Sequence, residues 1–297
     1  MERPRPNEES ARRIGPYRLI TRLDPPSPRQ SGHVPCRRFV ARSAEGARTV
    51  LLSAPLPGAD PARFLTEAHA AQRLLSPWIA PVTEVADPAS SPFHATPYVP
   101  ALPLPVALAV HGGPLPEETV RVIGVALAEA LAAAHAQGVT HAGVSPAAVL
   151  LTSDGPRLTC FGAVRAAAPD GGQRNTLPGL DPGALAPEQA SGGRPRPPGD
   201  VYALGAVLAY ASTGHTVPER SELPPALRPS TASCLSRDPA NRPTAADVMT
   251  ALAPPTPHET VLSSAGSLLT PGWLPGRVVA ALARQSSEIL AAELPWN

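Results

Sequence analysis

The sequence predicts an α+β chain with two lobes: a small β-rich N-lobe carrying one helix, and a larger helical C-lobe. Three observations carry this. Between Tyr17 and Val99 the apolar residues fall in short strand-like runs, interrupted once by a helical pattern. From Pro116 onward they recur at helical spacing. Between the two regions, Pro100–Pro105 (PALPLP) is a proline-punctuated joint. Strands with one helix, followed by helices, give segregated layers around a shared junction.

Taken in order, residues 1–15 read as a solvated N-terminal arm without the apolar segment of a signal peptide. Tyr17–Leu23 is a first strand. The Pro/Ser-rich loop DPPSPRQSGHVP follows, then strands at Arg38–Arg42 and Thr49–Ser53 joined by a turn at Glu45-Gly46. Asp60-Pro61 starts a helix, with an N-cap acceptor and proline at the first helical position. Leu65, Ala68, Ala71 and Leu75 mark its inner face. Ile79–Val85 and Phe93–Val99 read as two more strands. A long helix over Pro116–Gln137 places Val120, Ile123, Leu127, Leu131 and Ala134 on one face and stops at Gly138. Ala148–Leu151 and Arg157–Thr159 are short strands around the Ser153-Asp154-Gly155 turn. Asp200–Ser212 is an apolar helix ending at Gly214. Thr244–Ala253 opens with a capping box completed by Asp247. The main domain is thus expected at 16–253, with the N-lobe at about 16–99 and the C-lobe at about 106–253. Residues 254–275 read as a Pro-rich linker. Residues 276–297 form a terminal amphipathic helix carrying Val278, Leu282, Ile289 and Leu290, which docks on its own lobe or on a partner.

Hydrophobic residues make up 43% of 297, which excludes a largely disordered chain. A formal net charge of +1 gives no electrostatic reason to bind nucleic acid or an anionic membrane. The most apolar window, Val120–Ala136, contains Glu129 and reads as a buried helix, so no membrane span is expected. Three scattered cysteines, Cys36, Cys160 and Cys234, suit a reducing cytoplasm. His33 and Cys36 have ligand-like spacing, but no second pair follows them. All 25 basic residues are arginine. Any chemistry that needs an ammonium side chain is therefore unavailable.

Four stretches stand in a telling order: GVTHAGVSPAAVLLTSDGPRLTCFGAVRA (138–166), ALAPEQA (184–190), DVYALGAVLAYASTG (200–214) and DPANRPTAADV (238–248). Together, over residues 15–253, they resemble the bacterial eukaryotic-like Ser/Thr protein kinases. The resemblance implies a bilobal protein-kinase-like fold. It also implies a reaction that rests on positioning and charge stabilisation: a glycine-rich phosphate cradle, a lysine, acidic metal ligands and a base.

The residues at those positions depart from the family. The cradle G-x-G-x-x-G is replaced by DPPSPRQSGHVPC, where Gly32 is the only glycine and prolines remove N–H donors. The V-A-I-K lysine aligns with Ser53. Its glutamate partner aligns with Glu67, which reads either as a retained structural residue or, with that partner missing, as a solvated helix-face glutamate. In the catalytic loop, the base aligns with Gly143, its lysine neighbour with Ser145 and the metal-binding asparagine with Ala148. The D-F-G aspartate aligns with Cys160. A neutral thiol is a poor ligand for Mg²⁺, which demands hard oxygens. No catalytic residue and no metal site are expected. A vestigial nucleotide pocket would comprise Arg38, Leu51, Thr96, Val99 and Leu150. Thr96–Val99 and Leu150 are compatible with adenine, whereas Leu51 and an inward Arg38 disfavour it. Arg38 either fills the pocket or takes a phosphate in place of lysine.

What the resemblance retains is structural. His141 and Phe161 match the apolar stack between the lobes, Asp200 matches the anchor of the catalytic loop, and Glu188 and Arg242 match a buried pair. Thr176 is the only hydroxyl of the activation segment, with Arg174 nearby. The sequence therefore leads to a catalytically inactive kinase-like protein, a pseudokinase. It would bind no cofactor and serve as cytoplasmic scaffold or allosteric regulator of a protein partner, such as an active kinase or its substrate. Two alternatives stay open: a Ser/Thr kinase or other transferase with residual activity, and a metal-independent nucleotide sensor.

Overall fold

The computed structural model describes residues 13–24, 33–253, 269 and 272–293. The small lobe is a six-stranded antiparallel sheet in the order β1-β2-β3-β4-β6-β5. Its strands are β1 (Arg13–Ile14), β2 (Tyr17–Arg22), β3 (Arg37–Ser43), β4 (Thr49–Ala54), β5 (Glu84–Val85) and β6 (His94–Pro97). Helix α1 (Pro61–Gln72) packs beside it, capped by the Asp60 carboxylate, which accepts from the N–H groups of Ala62 and Arg63. Two registers matter for the site. Arg38 lies across from Ser53, and Val40 across from Leu51. Residues two apart on a strand share a face, so these four line one side of the sheet.

A second sheet, β7-β8-β9, joins the lobes, with strands β7 (Leu102–Pro103), β8 (Val149–Thr152) and β9 (Gly155–Leu158). The helical lobe holds α2 (Leu104–His111), α3 (Glu117–Ala136), α4 (Ala163–Ala167), α5 (Pro187–Ala190), α6 (Pro197–Thr213), α7 (Arg228–Cys234) and α8 (Ala245–Leu252). Helix α3 is its axis. By length and composition it could cross a membrane, but Val120, Ile123, Leu127, Leu131 and Ala134 are all fully buried in the core of this lobe. Glycines stop the two central helices by accepting left-handed backbone that a side chain resists: Gly138 at φ 71° and Gly214 at φ 86°. At α8, Thr244 and Asp247 form the reciprocal capping box.

The last helix, α9 (Gly276–Glu293), docks on its own chain. Val278, Leu282 and Ile289 are buried, while Leu290 remains exposed. Gln285 on α9 clasps the interlobe strand: its Oε1 accepts from Ala101 N–H (2.8 Å) and its Nε2 donates to Ala101 C=O (3.0 Å). Thr119 at the head of α3 donates to the Trp273 carbonyl (2.7 Å) just before α9.

Several sequence expectations need correction. The N-terminal arm does not extend to residue 15, because Arg13–Ile14 pairs with β2. Ile79–Val85 is not a strand. Pro81 withholds an N–H, and only Glu84–Val85 pairs, while Ile79 makes a single bridge to Leu158. Phe93–Val99 shortens to His94–Pro97. Helix α1 ends before Leu75, whose side chain is exposed. The joint at Pro100–Pro105 is structured, with β7 and the first turn of α2 inside it. Most of the N-terminal arm, most of the degenerate cradle including Gly32, and most of the Pro-rich linker lie outside the described residues.

Candidate functional site

The site is the cleft between the six-stranded sheet and the β8–β9 platform. Its roof carries Leu51, Ser53 and Arg38, all buried. Leu51 reaches down to Leu150 on β8, and with Leu23 and Ala101 these side chains form one closed apolar cluster. The space where a flat base would lie between roof and floor is therefore taken by leucine side chains. Thr96 turns its hydroxyl to the Leu51 carbonyl (3.2 Å), and Val99 is exposed. Of the five positions expected to form a vestigial pocket, the structure joins Leu51 and Leu150 by packing, and it gives Arg38 other work.

Arg38 points inward and is fully buried. Its guanidinium makes a two-pronged pair with Asp24, Nε to Oδ2 at 2.9 Å and Nη2 to Oδ1 at 2.5 Å, and Nη1 donates to the Thr159 hydroxyl at 3.3 Å. Burial opposes the charge, but Asp24 overcomes it and holds the guanidinium protonated. A buried arginine already neutralised by a bidentate carboxylate has no free fork for a phosphate. The geometry thus engages the Arg38 fork with Asp24 and Thr159 inside the lobe.

The catalytic-loop segment is tied to α6 through its backbone. Asp200 on α6 accepts from the backbone N–H groups of His141 (2.7 Å) and Ala142 (2.8 Å), and contacts His135 Nε2 at 2.9 Å. These bonds retain Ala142 at φ 51°, a left-handed conformation that costs a non-glycine residue about 1–2 kcal/mol. His141 is fully buried and donates from Nε2 to the Thr159 carbonyl at 3.0 Å, which fixes its tautomer. Its ring lies 4.0 Å from that of Phe161, and burial pushes its pKa down to about 4. Gly143 sits where a base would be required. A Cβ added there would meet the Cys160 carbonyl oxygen at 2.7 Å and Ala163 Cβ at 2.9 Å, so the turn after β9 has closed over the position. The Ser145 hydroxyl is buried and has no hydrogen-bond partner among the described residues. Ala148 offers only its carbonyl, which accepts from the Thr159 hydroxyl at 2.9 Å.

The C-F-G turn is the second left-handed point, with Cys160 at φ 64°. Its thiol lies 3.4 Å from the Thr159 hydroxyl and 3.4 Å from the Cys36 thiol. His33 and Cys36 do not converge, since His33 Nδ1 contacts the Leu180 carbonyl at 2.9 Å. Past the turn, Arg165 on α4 makes a bidentate pair with Glu67 on α1, both bonds at 2.6 Å, and also donates to the Thr140 carbonyl. Of the two readings of Glu67 the solvated one does not hold: its side chain is 14% exposed and its carboxylate is paired with Arg165. A Cβ on Gly162 would collide with the Glu67 side chain, so helix α1 rests directly on the turn. Sequence reasoning missed Arg165. The available signal was an arginine three residues beyond the C-F-G glycine.

In the helical lobe, Glu188 and Arg242 are paired at 2.7 and 2.8 Å. Arg242 also donates to the carbonyls of Ser236, Pro198 and Arg237 and lies over the Tyr202 ring. Thr176 is exposed, but Arg174 is buried among Asp170 and the carbonyls of Pro169, Gln189 and Gly193. Arg174 is therefore occupied and is not a reader for a modified Thr176. Beside the filled roof, a cavity of about 200 Å³ opens between α1 and the C-F-G turn, lined in part by Ser53, Phe64, His94, Thr96 and Cys160.

The residues present do not fit a nucleotide–magnesium pair. The metal positions hold Ala148 and a thiol turned to another thiol, and among the described residues no group of three His, Cys, Asp or Glu side chains assembles. The adenine layer is occupied by Leu23, Leu51 and Leu150.

No protein-family model matches the chain. Among curated proteins it is 35% identical over 266 residues to the probable serine/threonine-protein kinase PkwA of Thermomonospora curvata, covering 81% of this chain and 34% of that protein. It is 32% identical over 297 residues to the serine/threonine-protein kinase AfsK of Streptomyces coelicolor, covering 92% and 35%. The chain thus spans about a third of the length of these relatives. Among solved structures, the Mycobacterium tuberculosis PknI kinase domain superposes with a TM-score of 0.61 at 24% identity, covering 80% of this chain and 95% of that one. That likeness fixes the fold alone. The chain has the protein-kinase fold, and the curated proteins it resembles in sequence are bacterial Ser/Thr protein kinases.

Proposed function

We propose that this chain is a catalytically inactive, kinase-shaped binding protein that works in the cytoplasm as scaffold or allosteric regulator of another protein, such as an active kinase or its substrate. The observation that carries the reading is the filled adenine layer of the cleft together with the blocked position of the base. Leu51 meets Leu150, Arg38 is neutralised by Asp24, and the position of the base is shut by the Cys160 carbonyl. Removing one preorganised charge-stabilising group typically costs about 10²–10³ in rate. Here the lysine, the base and both metal ligands are absent together, although such losses do not simply multiply. The relatives carry the names of kinases, yet activity resides in the site and not in the fold.

The retained parts support the binding half of the proposal. Asp200, the His141–Phe161 stack and the Glu188–Arg242 pair hold loop and lobe in shape, at the cost of backbone strain at Ala142 and Cys160. The protein uses no nucleotide or metal cofactor and recognises neither nucleic acid nor membrane. The test has two arms. Purified protein with labelled ATP and Mg²⁺ or Mn²⁺ transfers no phosphate to itself or to a generic acceptor. Affinity capture from the native cell recovers a stoichiometric protein whose activity changes when the purified chain is added back. Phosphate transfer that disappears on altering an inward-facing cleft residue contradicts the proposal.

A further inference from the structure

Two of the three cysteines meet in the cleft although they are 124 residues apart in sequence. Cys36 immediately precedes β3 in the small lobe, and Cys160 opens the C-F-G turn below it. Their sulfurs are 3.4 Å apart, both thiols are reduced, and both are buried. A disulfide has its sulfurs about 2.05 Å apart, so closure requires a movement of about 1.4 Å. Both residues line the cavity of about 200 Å³, which gives a small oxidant a route to sulfurs the bulk solvent does not wet. No third Cys, His or carboxylate joins them among the described residues, so the pair is not a metal site. From this geometry we infer that Cys36 and Cys160 are a peroxide-oxidisable dithiol, a modification site at which a disulfide ties the small lobe to the C-F-G turn.

The surroundings assign the roles. The hydrogen bond from the Cys36 thiol holds the Cys160 pKa down to about 7, against burial, and the Arg38 charge acts in the same direction. Cys36 is raised, chiefly because its hydrogen is engaged by Cys160 and then because it is buried. Cys160 is thus assigned as the sulfur that attacks peroxide, an order of events that the Cys36→Ser variant tests. Its sulfur bonds to one peroxide oxygen, the O–O bond breaks, and hydroxide leaves, giving Cys160 sulfenic acid. The Cys36 sulfur then attacks the Cys160 sulfur and displaces the sulfenic oxygen, which leaves as water. Overall two thiols and one hydrogen peroxide give one disulfide and two waters, with both electrons supplied by the cysteines. Cys234 is an internal control: it is fully buried in the helical core, and burial pushes its thiol up to about 12.

The experiment exposes the reduced full chain to graded hydrogen peroxide, blocks remaining thiols in denaturant, and maps the peptides by mass spectrometry. The expected result is one cross-linked species joining Cys36 to Cys160, with Cys234 still alkylated. A rise in Tm of about 5–10 °C should accompany it and be reversed by dithiothreitol, because the bond closes a long loop. In Cys36→Ser the second step is lost, and Cys160 accumulates a dimedone-reactive sulfenic acid. Full alkylation of both residues after peroxide overturns the inference, as does oxidation to sulfinic acid without a cross-link or a cross-link through Cys234. The wild-type map decides the matter even if the variant fails to fold.

Discussion

Replacing Arg38 with methionine keeps most of the buried volume and removes the cation. In the structure Arg38 has no exposed side-chain surface and Asp24 retains 13%. Breaking a buried pair by removing one partner costs about 3–5 kcal/mol, because the other charge is left uncompensated. Asp24 keeps a little water, which places the expected loss near the lower end, at about 3 kcal/mol. For a chain of this size that is a fall in Tm of about 6–12 °C. Replacing both partners, Arg38→Met with Asp24→Leu, leaves no stranded charge and should recover most of the loss, giving a coupling of about 2 kcal/mol or more. Urea unfolding of the wild type, both single variants and the double variant supplies the cycle. A loss below about 1 kcal/mol for Arg38→Met, or single losses that simply add, would refute the assignment of Arg38 as the neutralised plug of the cleft.

Other outcomes follow from the same geometry. Gly143→Asp, which restores the residue type of the family's base, should destabilise by about 1–3 kcal/mol in urea melts and yield no phosphotransfer, since its Cβ would press on the Cys160 carbonyl. Arg165→Ala frees Glu67 from its bidentate pair and should speed amide hydrogen exchange over Gly162–Ala166, while unchanged exchange would mean that the pair does not hold the turn. Burial pushes His141 and His94 down to about 4, so the unfolded chain binds protons that the folded one refuses. Their stabilising effect is complete above pH 6.5 and is lost as pH falls from 6.5 toward 4, by about 1.4 kcal/mol per pH unit for each histidine at the steepest. His141→Phe should flatten that slope in urea midpoints taken from pH 7 to 4.5, and an unchanged slope would contradict the buried neutral ring.

Local chemistry made much of the fold legible. Asp60-Pro61, Thr244 with Asp247, Gly138 and Gly214 each act within one helical turn, and the structure uses them as caps and stops. Helix α2 escaped because prolines 103 and 105, which start it, also read as joint punctuation. Ile79–Val85 misled because it pairs only at its two ends, while Val82 between them is buried by packing. At the site, the absences were readable from residue types alone, since no lysine exists to be realigned. The replacements were not. Glu67–Arg165 spans 98 residues, Cys36–Cys160 spans 124, and Arg38–Asp24 spans a proline-rich loop whose path no local rule sets. Such pairs are products of tertiary closure, and only the assembled lobes bring them together.

Nucleotide-dependent melting tests the filled adenine layer most directly. A ligand present at a hundred times its Kd adds about 2.7 kcal/mol to stability, which for this chain corresponds to about 5–10 °C. The account predicts no shift in Tm with millimolar ATP, with or without Mg²⁺. A saturable rise of several degrees, abolished by altering Leu150, would contradict it.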